Sequence, residues 1–339
     1  MTPTKGLCWS EIGGTMGDIL ALAGANLLSP MILCFALGLF AALARSELTV
    51  PEAVAKGMSI YLLFAIGFKG GVAVADHGID SQLIAALLGG VVLSFALPFV
   101  AFALLRSITR LSTLDAAAVA AHYGSISIVT FVTATSVLAG RGIDAEGYMV
   151  AVAAAMEAPA IISALWLATR SGTGSRMDAD LWREILLNGS IVLLVGSFVI
   201  GLVTGTDGMA KIESFIVSPF QGVLCLFLLD MGLVAGRGLR QSRGVLGAGA
   251  IAFGLIMPLI GAAFGLGMAL ALGLSPGGIA LMMSLAASAS YIAVPAAMRV
   301  ALPEANPSIY LTLSLGITFP FNITFGIPAY VATALAFGG

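Results

Sequence analysis

Long apolar stretches recur from end to end of the chain, and they constrain its fold more than any other feature. Each is about 17 to 28 residues long, enough for a helix to cross a hydrocarbon layer of about 30 Å. Hydrophobic residues make up 59% of the 339 positions and charged residues 9%, too little polar surface for a water-soluble globule. The run 90–105 lacks the alternation of a membrane barrel strand. We therefore predict an all-α integral membrane protein.

Charged or Gly/Pro-rich breaks divide the apolar sequence into ten predicted spans. The spans are 27–44, 52–68, 82–105, 115–139, 146–168, 184–204, 214–235, 244–272, 278–299 and 308–335. The odd-numbered connections, counted with the adjoining span ends that hold Lys56 and Arg299, carry 11 of the 15 Lys and Arg residues, and the positive-inside rule places such connections in the cytoplasm. We therefore expect a multi-pass protein of the cell's inner (plasma) membrane with both termini outside.

The two halves of the chain match when they are offset by about 160 to 163 positions. The matched features, in order, are Pro98 with Pro258, Ser125 and Ser127 with Ser288 and Ser290, Tyr148 with Tyr310, and Pro159 with Pro320. Chance similarity between apolar segments is the alternative, but the shared order argues against it. Because each half has five spans, an odd number, the second half must enter the membrane from the opposite side. We predict two inverted repeats, 1–170 and 184–339, joined by a short cytoplasmic linker at 171–183, as in secondary transporters.

Spans 4 and 9 each contain a hydroxyl-rich segment near the midpoint, which predicts discontinuous helices. An interrupted helix at this depth survives only inside protein or beside a watery cavity. The N-termini of the two second halves would then approach one another and offer free N–H groups to a small anion. The predicted anion-binding residues are Gly124, Ser125, Ile126, Ser127, Ala289, Ser290 and Tyr291. Close helix packing by small residues is the alternative for either segment alone.

Glu157 is an acidic residue in the middle of predicted span 5. A carboxylate at this depth costs about 2.5 to 3.5 kcal/mol on insertion scales unless it is paired or ligated. The equivalent position in the second half is near Thr318, followed by Pro320 and Asn322. Carboxylate, amide and hydroxyl oxygens together suit a sodium ion. The predicted sodium-binding residues are Glu157, Asn322, Ser125, Ser127, Thr130 and Ser288. A neutral acid hydrogen-bonded in the core is the alternative.

Other polar residues in the spans receive no binding role. Lys69 and Asp230 are repeat equivalents of opposite charge, and inversion would separate them, so we predict that Lys69 snorkels to the interface and Asp230 faces protein or a vestibule. His122 matches Leu285, and we predict no proton relay there. The three cysteines match no metal or redox spacing, and neither GxGD nor HExxH occurs. We expect no catalytic residue and no cofactor, sodium serving as coupling ion. A net charge of -2 indicates no nucleic-acid partner.

Four runs of sequence resemble the sodium-dependent bicarbonate transporter family: HYGSISIVTF, MEAPAI, SASYIAVPAAMR and FPFNITFGIP. The resemblance covers nearly all ten spans. It implies a carrier with a gate domain and a mobile core domain, an elevator-like mechanism and assembly as a trimer in the lipid bilayer. It also implies that spans 4 and 9 hold the anion, and that sodium drives bicarbonate uptake.

The central connection, 170–184, is short where well-known family members have a long one. This argues against the PII-like regulatory partner of those members. A sodium-coupled symporter of another small or organic anion, similar to the bile-acid carriers, would share the architecture and remains an alternative. A membrane receptor or structural protein is the alternative outside transport, although such a protein has no reason to place hydroxyl-rich breaks twice at mid-depth.

Overall fold

The computed structural model describes residues 28–78, 80–170, 183, 187, 189–241 and 246–338. Regular secondary structure in these residues is helical, which confirms the all-α class. The helices are α1 Pro30–Leu43, α2 Glu52–His77, α3 Ser81–Ile108, α4 Thr113–Gly124, α5 Ile128–Ala139, α6 Met149–Ala155, α7 Ala158–Arg170, α8 Gly189–Ile216, α9 Phe220–Gln241, α10 Ala248–Leu272, α11 Pro276–Ala287, α12 Ala293–Ala301 and α13 Pro307–Phe337. The predicted linker, 171–183, lies outside the described residues apart from Arg183.

Eight helical segments of the described chain are long and apolar enough to cross a membrane. They are Glu52–Asp76, Ser81–Ile108, Thr113–Ala139, Met149–Ala168, Ile191–Ile216, Phe220–Arg240, Ala248–Leu272 and Pro307–Phe337. The apolar helices α1, with 14 residues, and α11, with 12 residues, are shorter and fall in predicted spans 1 and 9. The chain thus has the helices of a multi-pass membrane protein, and the count of ten spans stays a prediction.

Two helices run further than the sequence predicted. Span 2 was predicted to end at residue 68, before the charge of Lys69, but α2 continues to His77 because Lys69 faces a protein cavity and does not end the helix. Span 6 was predicted to end at 204, whereas α8 continues to Ile216 across a kink at Gly205. The φ of Gly205 is 56°, which glycine tolerates, and its backbone is not helical, so two helical segments of α8 meet there at a kink.

Glycines bring α2 and α8 into direct backbone contact. A Cβ atom added to Gly71 of α2 would overlap the carbonyl oxygen of Phe198, and one added to Gly201 of α8 would overlap the carbonyl oxygen of Phe68. Small residues at such contacts let helix backbones approach closely, which is a main source of helix association where lipid removes the hydrophobic driving force. The two helices therefore form one tightly packed pair.

The same contact occurs between α1 and α9. A Cβ atom on Gly232 of α9 would overlap the carbonyl oxygen of Phe35, and one on Gly38 of α1 would overlap that of Leu229. Each of these four residues is the counterpart of one in the α2–α8 contact at an offset of about 161 to 163 positions, within the offset predicted from the sequence. A two-fold relation between the halves produces this exchange of partners, so the contact supports the predicted repeat.

The remaining helices pack around α4 and α5, which lie at the centre of the described structure. The apolar window of Thr113–Ala139 is wholly buried, in contrast with that of Ile191–Ile216 in α8. Helix α4 packs against α3 and α7, and α11 packs in the corresponding way against α10 and α13. The two predicted helix breaks therefore lie in the interior of this group of packed helices.

Serine caps define where the two central helices begin. The Ser112 hydroxyl accepts the Asp115 N–H at 3.0 Å, so α4 begins at residue 113. The Ser275 hydroxyl accepts the Gly278 N–H at 3.1 Å, so α11 begins at residue 276. Both helices have 12 residues and end in the interior, at Gly124 and at residue 287.

Candidate ion-binding site

The breaks predicted in spans 4 and 9 are both present, and hydrogen bonds join them. The backbone N–H of Ser127, between α4 and α5, donates to Ser288 Oγ at 2.8 Å. The backbone N–H of Ser290, between α11 and α12, donates to the carbonyl oxygen of His122 at 2.7 Å. All four residues are buried. The structure thus brings the two predicted anion-binding segments into contact, each completing hydrogen bonds of the other.

Local sequence explains the break between α4 and α5. Gly124 is required at the end of α4 because a Cβ atom there would overlap the ring of Pro98 in α3. Ser125 follows in an extended conformation, with φ -85° and ψ 156°. Ser127 then caps α5, its hydroxyl accepting the N–H of Thr130 at 3.2 Å. Gly124, one of the predicted anion-binding residues, thus has a clear packing role here.

The break between α11 and α12 is held less regularly. Ser288 Oγ donates to the carbonyl oxygen of Leu285 at 2.8 Å while it accepts the N–H from the opposite break. The Val294 N–H reaches the Ser290 hydroxyl at 3.5 Å, a long bond. Ala289, between them, is buried. The hydroxyls of this break therefore serve mainly to join backbone groups.

Glu157 faces a small cavity at the junction of the breaks. Its lining residues are Ile126, Ser127, Ile128, Glu157, Ser290, Tyr291 and Ile292. The volume of this cavity is about 10 Å³, which leaves room for about one water molecule. Glu157 Oε2 is buried and has no hydrogen-bond partner among the described residues. A buried carboxylate oxygen in this state is unfavourable unless a proton or a cation satisfies it.

An unexpected helix break places Glu157 in this position. Span 5 was predicted as one helix, but α6 ends at Ala155 and α7 begins at Ala158. The signal in the sequence is Pro159, which lacks an N–H and interferes with a continuous helix. Ser94 Oγ of α3 donates at 2.5 Å to the carbonyl oxygen of Met156, which lies at this break. Glu157 therefore lies at a helix junction and not on the side of a regular helix.

Two further predicted sodium ligands carry unpartnered oxygens. Ser125 Oγ and Thr130 Oγ1 are buried and, like Glu157 Oε2, have no hydrogen-bond partner within the described parts of the chain. Nearly all buried polar atoms of proteins are hydrogen-bonded, so three exceptions among six predicted ligands are informative. No group of three or more His, Cys, Asp or Glu side chains that could hold a metal occurs in the residues described. Hydroxyls would therefore have to supply most of the ligands for a cation beside one carboxylate.

Asn322 lies in the same region with its amide fully engaged. Its Nδ2 donates to the carbonyl oxygen of Ala287 at 2.9 Å, and its Oδ1 accepts the Tyr330 hydroxyl at 2.9 Å. Asn322 thus holds the last turn of α11, adjacent in sequence to Ser288, and it is not among the residues that line the Glu157 cavity. A π-helical turn, Asn322–Gly326, sets its position in α13, and this irregularity was not predicted.

His122 and Thr318 connect the break region to its surroundings. His122 Nδ1 donates to the Ala118 carbonyl at 2.7 Å and the ring stacks on Tyr310 at 4.5 Å, while Nε2 is buried without a partner among the described residues. Thr318 Oγ1 donates to the carbonyl of Gly254 at 2.6 Å and lies 2.6 Å from the Tyr123 hydroxyl. These contacts fix α4 against α10 and α13.

A large cavity reaches the site from one side. It measures about 640 Å³ and lies between α9, α12 and α13. Arg237 lines this cavity at the end of α9, and Tyr291 and Ile292 line it at the break. The same two break residues line the Glu157 cavity. Tyr291 and Ile292 thus lie at the boundary between the large cavity and the small one.

Comparison with known proteins identifies the family. No curated protein matches the chain. The family model described as the Na+-dependent bicarbonate transporter superfamily matches residues 30–335, a range that begins at α1, ends within α13 and includes both helix breaks and Glu157. The match agrees with the resemblance noted from the sequence. The chain therefore belongs to the Na+-dependent bicarbonate transporter superfamily.

Proposed function

We propose that the protein is a secondary active transporter that carries bicarbonate into the cell together with sodium. The observation that carries the proposal is the buried, unpartnered carboxylate oxygen of Glu157 at the junction of two helix breaks. Family membership supports both the ion and the anion. A receptor or a structural protein would gain nothing from keeping this oxygen unsatisfied within a membrane.

Sodium binds first in this proposal, in the small cavity. Glu157 supplies the charge and Ser127 a hydroxyl in the lining of this cavity. The buried, unpartnered hydroxyls of Ser125 and Thr130, which lie outside the lining, would complete the shell. Space for about one water molecule also suits a small dehydrated cation. Ser288 Oγ and Asn322 Oδ1 belong to the same proposed shell, although here they accept hydrogen bonds from Ser127 and Tyr330. Cation binding would remove the free-energy penalty of the buried carboxylate.

Bicarbonate follows and binds at the N-termini of α5 and α12. The first N–H groups of a helix have no acceptor within it, and the aligned peptide dipoles favour negative charge there. The segments Gly124 to Ser127 and Ala289 to Tyr291 bring these ends together. A bound sodium ion adds a full positive charge nearby and offsets the desolvation of the anion. Each ion thereby strengthens the binding of the other, which is the basis of coupled transport.

Movement between two bodies would carry the loaded site across the membrane. The glycine-packed pairs α1–α9 and α2–α8 would form the static gate, and α3 to α7 with α10 to α13 would form the mobile core of an elevator-like carrier. The 640 Å³ cavity separates α9 from α12 and α13, so it lies between the two proposed bodies. The inverted repeat, external termini, inner-membrane location and trimeric assembly belong to the same proposal.

Uptake of labelled inorganic carbon into proteoliposomes, with and without an inward sodium gradient, tests the function. Glu157→Gln removes the charge at nearly constant shape, so sodium-dependent uptake should fall to background. The control is Glu52→Gln, which changes an exposed acid at the start of α2 and should leave uptake unchanged. Sodium-independent uptake by the wild-type protein, or sodium-dependent uptake by the Glu157 variant, would contradict the proposed coupling.

A second candidate substrate class is favoured by the size of the large cavity. At about 640 Å³ it exceeds what bicarbonate needs and would admit an organic anion. Sodium-coupled transport of an organic anion, as in the bile-acid carriers, is therefore the alternative. Competition of unlabelled organic anions against labelled bicarbonate separates the two, since only an organic-anion carrier would lose bicarbonate uptake to micromolar competitor.

A further inference from the structure

We propose that Lys69 forms a second anion-binding site, for a small monovalent oxyanion such as bicarbonate, in a cavity separate from the one that Arg237 lines. The inference rests on the proposed function for the identity of the anion and for the orientation of the chain, which places Lys69 toward the outside. In this site the anion would wait before it reaches the helix breaks.

The Lys69 cavity lies at the opposite ends of the helices from the Arg237 cavity. It measures about 300 Å³ and is bounded by α2, by the end of α5, by the start of α9 and by the connection that leads into α6. Its polar lining includes Lys69, Ser136 and the exposed Gln221, together with Thr135, whose hydroxyl already donates to the Phe131 carbonyl. An ammonium group with nearby amide and hydroxyl donors matches the needs of a small oxyanion.

The charge of Lys69 has no acidic partner within 4 Å among the described residues. Its Nζ lies 4.6 Å from the centroid of the Phe220 ring, a cation–π contact. Such a contact compensates only part of the penalty for a cation within a membrane helix. The side chain is half-buried and lines the cavity. A cation held this way has the capacity to bind an anion.

The acidic residues of the cavity do not cancel this capacity. Glu146 accepts hydrogen bonds from the N–H of Ser275 at 2.7 Å and from its hydroxyl at 3.0 Å, so its charge is matched by the N-terminus of α11. Asp144 is exposed, at the rim, where solvent screens its charge. Lys69 and Glu146 both line the cavity, but the Glu146 carboxylate is held by α11, which leaves the Lys69 ammonium as the charge available to an anion.

The repeat makes the position of Lys69 informative. Its counterpart in α9 is Asp230, which has the opposite charge. Seven residues further along, α2 has the negative Asp76 and α9 has the positive Arg237. The inner charge is thus positive on one side of the molecule and negative on the other. The backbone of the glycine-packed pairs is nearly symmetric, but the charges are not: Lys69 lines the cavity on its side, whereas Arg237, and not Asp230, lines the cavity on the other side.

Phe131 separates the Lys69 cavity from the helix breaks. It is buried and lines the cavity, and its N–H donates to the carbonyl oxygen of Ser127 at 3.0 Å. One turn of α5, about 5.4 Å along its axis, therefore lies between Phe131 and the proposed anion site at Ser127. In this proposal an anion at Lys69 moves inward when Phe131 is displaced.

The test measures the dependence of uptake on external bicarbonate in proteoliposomes under a fixed sodium gradient. Lys69→Gln should raise the apparent KM about three- to tenfold with little change in maximal rate, because a solvent-accessible charge contact contributes about 1 kcal/mol. High ionic strength should reduce the difference from wild type. Lys69→Arg should stay close to wild type. The matched control, Lys56→Gln, changes an exposed lysine of the same helix and should leave KM unaltered.

Chemical rescue covers the case in which the charge is needed for folding. In a background with Cys8, Cys34 and Cys225 replaced, Lys69→Cys should show the raised KM. External modification by a cationic methanethiosulfonate should return the KM to the wild-type value, whereas an anionic reagent should not. An unchanged KM in the Gln variant, or equal effects of the two reagents, would overturn the Lys69 site while leaving sodium-coupled uptake intact. Loss of sodium-dependent uptake in the wild type would instead refute the proposed function.

Discussion

The substitution Gly201→Ala tests the backbone contact between α2 and α8. The added methyl would overlap the carbonyl oxygen of Phe68, and the main chain there cannot withdraw without separating the two helices. Over-packing of this kind costs about 1 to 3 kcal/mol. Gly196→Ala, in the same helix, is the matched control because its Cβ would meet no atom within 4 Å. Removing a helical glycine without a clash should stabilise the protein by about 0.5 to 1 kcal/mol.

The gain from removing a helical glycine is common to both variants, so they should differ by the over-packing cost alone, about 1 to 3 kcal/mol, with Gly201→Ala the less stable. The measurement is the thermal unfolding midpoint of the purified protein in one detergent, read by tryptophan fluorescence. Gly38→Ala, the repeat counterpart in α1, should fall on the destabilised side with Gly201→Ala. Equal midpoints for the Gly201 and Gly196 variants would refute the close contact and, with it, the argument for a shared packing in both repeats.

Two further substitutions address the hydrogen bonds of the site. Ser288→Ala would leave the buried Ser127 N–H without its acceptor, so we expect a loss of about 1 to 3 kcal/mol in stability and a raised KM for bicarbonate, measured by thermal unfolding and uptake; Ser107→Ala, an exposed serine whose hydroxyl bonds within its own helix, should change neither. Thr318→Val keeps the shape but removes the hydroxyl between Tyr123 and Gly254, and it should lower the unfolding midpoint more than Thr333→Val, whose hydroxyl bonds only within its own helix. A midpoint for either test variant equal to that of its control would show that these bonds contribute nothing.

Composition and hydroxyl pattern predict much of the fold. Apolar length predicts helices because lipid leaves the backbone no other partner. Serines grouped at mid-depth correctly predict the breaks after Gly124 and Ala287, since small polar residues favour a change of backbone direction and can bond it. These properties are local, and a sequence carries them directly.

Side-chain partners depend on contacts between distant segments, and there the sequence is less informative. Asn322 has the oxygen of a cation ligand, but nothing local indicates that Ala287 and Tyr330 engage its amide. From the sequence alone, Lys69 has the character of a residue that ends a helix at the membrane interface. The cavity that it lines is formed partly by α5 and α9, which are distant from it in the sequence. The break at Glu157 had a local signal in Pro159, yet a proline in the first turn of a helix is also common, so the signal is ambiguous.

The hydrogen bonds across the two breaks have a consequence for the folding of the chain. The Ser127 N–H finds its acceptor in the second half, and the Ser290 N–H finds its acceptor in the first. Neither half contains both members of either bond. Each half therefore leaves one buried N–H without an acceptor until the other half is in place, so both breaks are completed only when the two halves of the chain have come together.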